Sequence, residues 1–410
     1  DPAIPEGVFP PRISVTPIAL VAEAEVIDGQ GKVVAPGFVN AHSHAGMSLL
    51  RSYADDVPLM YWLEKRIWPI EARLKREDVY WGTMLAIAEM IKGGTTTFCD
   101  MYFFMDQVAE AVEEAGIRAV LSRGLVGVGE QAESGLIESE HFIQHWQGRG
   151  DGRITTMLGP HAPYTCPPDY LKRVLALQER LHVPIHIHLA ETMDEVNNIC
   201  AQYGVTPTRL LKDTGLLDRP VLAAHCVHLT DGDMDLLKEY DVHVAHNPGS
   251  NLKLGSGIAP VPDLLSRGIT VGLGTDGAAS NNNLDMMEEM RLAALLHKGV
   301  RMDPTAITAQ EALALATRHS AKAVFLDQVG TIASGMKADL LVLDLQKPHL
   351  TPLHNVVAHV VYAAQPTDIT VVMVDGKILC ENGHLTTLDE ENIIFQAQQR
   401  AEYLVKENEE

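Results

Sequence analysis

Between residue 36 and about residue 320, short apolar runs rich in β-branched residues alternate with longer segments whose apolar positions recur at helical spacing. Eight runs read as strands: "PGFVNAH" (36–42), "TTTFCDM" (95–101), "RAVLSRGLV" (118–126), "ITTMLGPH" (154–161), "PIHIHLAE" (184–191), "VLAAHCVHL" (221–229), "HVAHNP" (243–248) and "TVGLGTD" (270–276). The segments between them carry helix punctuation. "EDVYWGTMLAIAEMIKGG" stops on glycines, and "PPDYLKRVLALQERLH" opens on prolines, which suit the first turn of a helix. Strands separated by helices imply parallel pairing through crossovers. Eight such units predict a closed (β/α)8 TIM barrel.

Beyond residue 330 the pattern changes to closely spaced strand-like runs, "KADLLVLDL", "NVVAHVVYAA" and "DITVVMVDGKILCENGHL", with "VDGK" reading as a tight hairpin turn. Their natural partner is "VAEAEVIDGQGKVVAPG" (21–37) near the chain start. The pattern therefore predicts an accessory β-sandwich shared by the two ends of the chain. The expected division is 1–36 and 326–410 for the accessory unit, with an acidic helix at the end of the second segment, and 37–325 for the barrel. Neither an internal repeat nor a low-complexity segment interrupts this order.

Composition adds exclusions. The chain has 410 residues, enough for a large core, and a formal charge of -22, which argues against nucleic-acid or anionic-membrane binding because both need positive potential. No apolar run is long enough to cross a bilayer, and "DPAIPEGVFPPRIS" lacks the basic and apolar regions of a signal peptide, so a cytoplasmic location is expected. The five cysteines are an odd number, lie far apart and form no C-x-x-C pair, which points to neither a disulfide framework nor a thiolate zinc site. Oligomeric state is written in no motif, and a homo-oligomer is compatible with the reading.

The 18 histidines carry the chemistry. In a parallel barrel the reactive residues come from the C-terminal ends of several strands. The first strand ends in "NAHSHAG", where His42 and His44, two apart, share a face and suit one metal ion. The fourth ends in His161, the fifth in His186, His188 and Glu191, the sixth in His225 and His228, the seventh in His243, His246 and Asn247, and the eighth in Asp276. A single buried histidine is usually a packed one; the series together points to a metal site. His42, His44, His188 and Asp276 form a ligand set that suits Zn²⁺ or Fe²⁺ better than Mg²⁺ or Ca²⁺. A divalent ion there lowers the pKa of a bound water towards neutrality. Glu191 is placed to carry a proton and His225 to hold the hydroxide, whereas a carboxylate in Glu191's position could also serve only the helix dipole. His186 reads as a supporting residue behind the ligands. "GLGTDG" (272–277) matches G-x-G-x-x-G but would set Asp276 against a pyrophosphate. The sequence contains no P-loop, no H-E-x-x-H and no cytidine-deaminase zinc pattern.

"PGFVNAHSH", "HIHLAET", "AAHCVHL" and "GTDGAASNNNLDMMEEMRLAALLHK" resemble the amidohydrolase superfamily, in its branch of aminohydrolases acting on rings. "WLEKRIWPIEARL" (62–74) with "GPHAPYTC" is most similar to the 5-methylthioadenosine/S-adenosylhomocysteine deaminases. The resemblance implies one metal held by His42, His44, His188 and Asp276, with Glu191 as proton shuttle and His225 beside the hydroxide. It also implies that Glu71 binds ribose hydroxyls and that His161 and Arg123 line the substrate site. Glu71 could alternatively be a surface partner of Lys75, four residues on. Binuclear members use a carbamylated lysine near the fourth strand, and no lysine lies between Ile154 and Cys166. Members carry a longer β segment before "EVIDG" than "DPAIPEGVFPPRIS" suggests.

The expected reaction is hydrolytic deamination of a small-molecule nucleoside: 5'-methylthioadenosine, S-adenosylhomocysteine or adenosine. Rival readings on the same scaffold are chlorotriazine hydrolysis or deamination of guanine, pterin or cytosine, and one of another class is a non-catalytic barrel. A substituent ending in a carboxylate wants an arginine at the pocket, for which Arg149 and Arg153 are the candidates.

Overall fold

The computed structural model describes residues 26–129 and 131–406. Among the described residues the first strand, β1 (Lys32–Pro36), leads at once into the barrel strands. These are β2 (Phe38–Ser43), β3 (Thr95–Tyr102), β4 (Arg118–Leu125), β5 (Ile154–Pro160), β6 (Ile185–Leu189), β7 (Val221–His225), β8 (His243–His246) and β9 (Val271–Leu273). They pair in sequence order, every neighbour parallel. Closure between the last strand and the first is carried by the Asp276 N–H, which donates to His42 O at 3.0 Å. All eight predicted strands are present, most of them ending a few residues earlier than the apolar runs suggest. β2, β3 and β4 are buried along their whole length, as expected of parallel strands covered on both faces.

Val39, Ala41, Cys99, Val120, Met157, Leu222, Ala224 and Ala245, from six strands, meet in one cluster, which they can do only inside the barrel. Ala321, Ala323, Val324 and Val329 close it. The helices form the outer layer. Arg76–Lys92 ends at Gly93, and Gly94 (φ +86°) makes the left-handed turn into β3. Pro168–Leu181 begins with proline in its first turn.

The accessory unit is, among the described residues, one antiparallel sheet in the order β1-β10-β11-β12-β13, with β10 (Leu340–Asp344), β11 (Ile369–Val374), β12 (Lys377–Glu381) and β13 (His384–Leu385). Chain start and chain end do meet, β1 against β10. "VDGK" is the tight turn between β11 and β12, with Asp375 and Gly376 both at positive φ. "NVVAHVVYAA", expected as strand-like, forms instead the helix Val356–Tyr362, capped by Asn355 Oδ1 on the Ala358 N–H at 2.9 Å. The N-terminal β segment before residue 26 lies outside the described residues. Arg118, at the start of β4, forms a bidentate buried pair with Asp339 (2.8 and 3.1 Å) that joins barrel to sheet. The C-terminal helix Glu390–Lys406 packs on Arg76–Lys92, where Lys92 bonds Glu390 at 2.6 Å.

Candidate metal centre and active site

His42 is the penultimate residue of β2 and His44 follows the strand, and their Nε2 atoms lie 3.4 and 3.2 Å from Asp276 Oδ1. His188, on β6, brings Nε2 to 3.3 Å from His44 Nε2. Every one of these donors is oriented from behind. His42 Nδ1 meets His186 Nε2 at 2.8 Å, His44 Nδ1 meets Met101 O at 2.6 Å, and His188 Nδ1 meets His161 O at 2.7 Å. Asp276 Oδ2 accepts from Ser250 Oγ (2.6 Å) and Ser280 Oγ (2.8 Å), which leaves Oδ1 for the centre. The chain turns sharply at these points: Asp276 (φ +61°), His225 (+72°) and Ala190 (+50°) are non-glycine residues in the left-handed region, strain of the kind that gathers at functional sites.

The electrostatics are those of a cation site. Burial lowers His42 to about 3 and holds His188 well below the usual imidazole range. Burial also works against charge on His44, but the hydrogen bond and charge of Asp276 outweigh it and raise His44 to about 9. Asp276 resists burial and stays well below the carboxylate range through His42 and His44. His42 Nε2 is fully buried with no hydrogen-bond partner among the described residues, a costly state unless a cation takes its lone pair. Among the described residues, two donor sets that could hold a divalent ion share His42: His42, His44 and Asp276, and His42, His188 and His225.

His225 Nε2 lies 3.7 Å from Glu191 Oε2. His225 Nδ1 sits 2.9 Å from Asn251 Oδ1, and Glu191 Oε1 is 3.4 Å from Ser256 Oγ. Burial raises the pKa of Glu191, and the charge of Asp276 adds to that, with His225 and Ser256 acting against it. A cavity of about 500 Å³ opens over both groups. Leu59, Trp62, Leu63, Trp68 and Phe103 give it apolar walls, the first four from the short helical turns of 59–71.

Glu71 lines the same cavity beside Tyr102. Burial raises its pKa, while the Tyr102 hydroxyl and His44 draw it back. Lys75 reaches Tyr403 Oη at 3.3 Å. His161 also lines the cavity, its ring centroid 4.8 Å from that of His188 and its Nδ1 2.9 Å from Thr165 Oγ1. Arg123 borders it, with Nε and Nη2 on Glu138 at 3.0 and 2.9 Å. Arg149 and Arg153 do not line the cavity. They lie in the turn before β5, at the N-terminal end of the barrel, where Arg149 covers Trp146 and Arg153 faces Asp151.

Of the other strand-end histidines, His228 Nε2 meets Ser256 O at 2.7 Å, His243 stacks on Phe325 at 4.6 Å, and His246 lies against His297 at 5.4 Å with both ring nitrogens buried and without a hydrogen-bond partner among the described residues.

A family model described as "Amidohydrolase family" matches residues 33–379. This chain belongs to the amidohydrolase family. Among its relatives, a 5-methylthioadenosine/S-adenosylhomocysteine deaminase of Pelotomaculum thermopropionicum is 56% identical over 403 residues, covering 98% of this chain and 90% of the relative. A protein of the same name from Desulforudis audaxviator is 51% identical over 409 residues, 99% of this chain and 95% of the relative. An adenosine deaminase from Xanthomonas campestris, solved with bound zinc, has a TM-score of 0.88 and 39% identity over 92% of this chain and 87% of that one. An atrazine chlorohydrolase from Arthrobacter aurescens, complexed with zinc, has a TM-score of 0.86 at 25% identity over 92% and 89%. The amidohydrolase barrel and a divalent-metal site thus rest on both geometry and kinship.

Several site residues escape a sequence reading. Ser250 and Ser280 reach Asp276 from 26 and 4 residues away, and Asn251 reaches His225 from 26. Glu195 escapes it too, although "TMDE" (192–195), a T-x-x-E helix start, is a signal that could have marked it.

Proposed function

We propose that this chain hydrolyses the ring amino group of an adenosine derivative, 5'-methylthioadenosine or S-adenosylhomocysteine, to give the inosine derivative and ammonia. The observation that carries the reading is the convergence of Glu191 and His225, 3.7 Å apart, beside His44, His188 and Asp276 in a cavity of about 500 Å³ that Glu71 also lines. His42, His44, His188 and Asp276 would hold zinc, which supplies Lewis acidity and lowers the pKa of a water ligand towards neutrality.

Water must lose a proton as it attacks, and the ring nitrogen must gain one. Glu191 does both: its carboxylate takes the proton and passes it to the ring nitrogen as the oxygen adds to the amine-bearing carbon. Burial, which raises its pKa, favours that protonated interval. His225 hydrogen-bonds the incoming oxygen, its ring held by Asn251. A second transfer through Glu191 protonates the amine, the carbon–nitrogen bond breaks, and ammonia leaves as the carbonyl forms. The Glu71 carboxylate accepts hydrogen bonds from the ribose diol. The apolar walls from Trp62, Trp68 and Phe103 suit a thioether-bearing 5' substituent, and His161 and Arg123 border the bound nucleoside.

Residues 37–325 form the catalytic unit in this reading, with 1–36 and 326–410 supplying the accessory one. Substrate is a small molecule; no helix among the described residues is long and apolar enough to cross a membrane. Glu191→Gln tests the mechanism: kcat falls about a hundredfold to ten-thousandfold, to a residual rate, while one metal per chain is retained. Full turnover in that variant contradicts it.

A further inference from the structure

The turn that carries Glu191 passes through Ala190, whose φ of +50° is a conformation an alanine adopts only when its surroundings impose it. A second carboxylate meets that turn. Glu195, buried in the first turn of the helix Met193–Tyr203, accepts the Ala190 N–H on Oε1 at 3.0 Å and the Glu191 N–H on Oε2 at 2.9 Å. Its own N–H donates to Thr192 Oγ1 at 3.2 Å, so both backbone and side chain of Glu195 are fixed. A T-x-x-E start ordinarily sends the glutamate back to the N-cap amide. Here the carboxylate reaches past Thr192 and holds the two amides before it. On the other side of the turn, Ala190 O accepts from the Val227 and His228 N–H groups at 3.0 and 2.9 Å, which ties it to the loop after His225.

We propose that Glu195 is the positioning residue of Glu191: a bidentate clamp that imposes the left-handed turn at Ala190 and so holds the Glu191 carboxylate facing His225. The proposal rests on the reading of Glu191 as the proton carrier. Glu195 does not line the 500 Å³ cavity. It acts through two consecutive backbone amides, and a neutral amide in its place would turn an NH₂ donor against one of those N–H groups. A displacement of about 1 Å at a proton carrier costs about a hundredfold in rate.

The test uses the metal-loaded full chain with Glu195→Gln, Glu195→Asp, Glu191→Gln and the double variant E191Q/E195Q. The aspartate variant keeps the charge but is one methylene short of reaching both amides. Each Glu195 variant should lower kcat about tenfold to a hundredfold, leave KM for the nucleoside within about twofold, and retain one metal per chain. The double variant should be no slower than Glu191→Gln alone, because a clamp has nothing left to position. Wild-type kcat in both Glu195 variants, beside a Glu191→Gln reduced to its residual rate, overturns the clamp alone. An equal further loss in the double variant also overturns it, as does failure of both Glu195 variants to fold, which would assign the residue to the fold. A fully active Glu191→Gln removes the proton-carrier reading and the clamp with it.

Discussion

His42 Nδ1 lies 2.8 Å from His186 Nε2, and this contact decides which nitrogen of His42 faces Asp276. Burial holds His186 well below the usual imidazole range, so it is neutral. For His42 Nε2 to present a lone pair, His42 Nδ1 must carry the proton and donate it to His186 Nε2. His186 then carries its own proton on Nδ1, which faces Ser122 Oγ at 3.4 Å and Cys99 Sγ at 3.7 Å.

His186→Leu keeps an apolar barrel interior but removes the acceptor. Metal affinity should fall about tenfold to a hundredfold, measured by competition with a chelator. Unchanged affinity would show that His42 is oriented without His186.

Glu71→Ala separates ribose recognition from base chemistry. Hydrogen bonds to a charged acceptor contribute about 1.5–3 kcal/mol, so kcat/KM for the ribonucleoside should fall by one to two orders of magnitude, about the range those energies imply. The penalty should shrink for the 2'-deoxynucleoside, which has one hydroxyl fewer to offer. An equal penalty on both would move Glu71 away from the diol.

How far the sequence revealed this site follows from how local each relationship is. Barrel strands were legible because eight buried runs alternate with helical segments, and the candidate site residues because His42, His44, His188, His225 and Asp276 all fall near or just past the ends of β2, β6, β7 and β9. Of the partners that orient them, His186 was legible as a supporting residue, whereas Met101, which offers only a carbonyl, and Ser250, which approaches Asp276 from the helix Pro248–Lys253, were not. "NVVAHVVYAA" misleads because β-branched residues can also line a short helix packed against a neighbour, here Ala309–Ala314. Arg149 and Arg153 mislead for a geometric reason: sequence proximity to His161 hides the length of β5, which separates the two ends of the barrel.

The pair Arg118–Asp339 is almost fully buried, and Asp339 also accepts the Asp375 N–H at 2.8 Å. Removing one member of a buried pair strands the other, at a cost of about 3–5 kcal/mol. Arg118→Ala should lose stability of that order in urea denaturation. A loss well below that range would mean that solvent reaches Asp339 once the guanidinium is gone.

Glu289 is buried on the helix Met286–Arg301, where its carboxylate accepts from the Gly249 N–H and Asn281 Nδ2 at 2.9 and 2.7 Å. Burial pushes it up to about 8 despite those bonds. A folded-state pKa raised above the unfolded one means a contribution fully present below about 4.5 and lost as pH rises through about 8. The amide of Glu289→Gln does not titrate. The melting-temperature difference between variant and wild type should therefore shift in favour of the variant from pH 5 to pH 9. A difference independent of pH would contradict a raised pKa.

Deamination of an adenosine derivative is tested most directly by ammonia release. The metal-loaded protein should be given 5'-methylthioadenosine, S-adenosylhomocysteine, adenosine, free adenine, guanine and cytosine in parallel. The expected result is one ammonia per nucleoside consumed, with the inosine derivative as product, from the adenosine derivatives in preference to the free bases. Turnover of guanine or cytosine with none of the adenosine derivatives would contradict it.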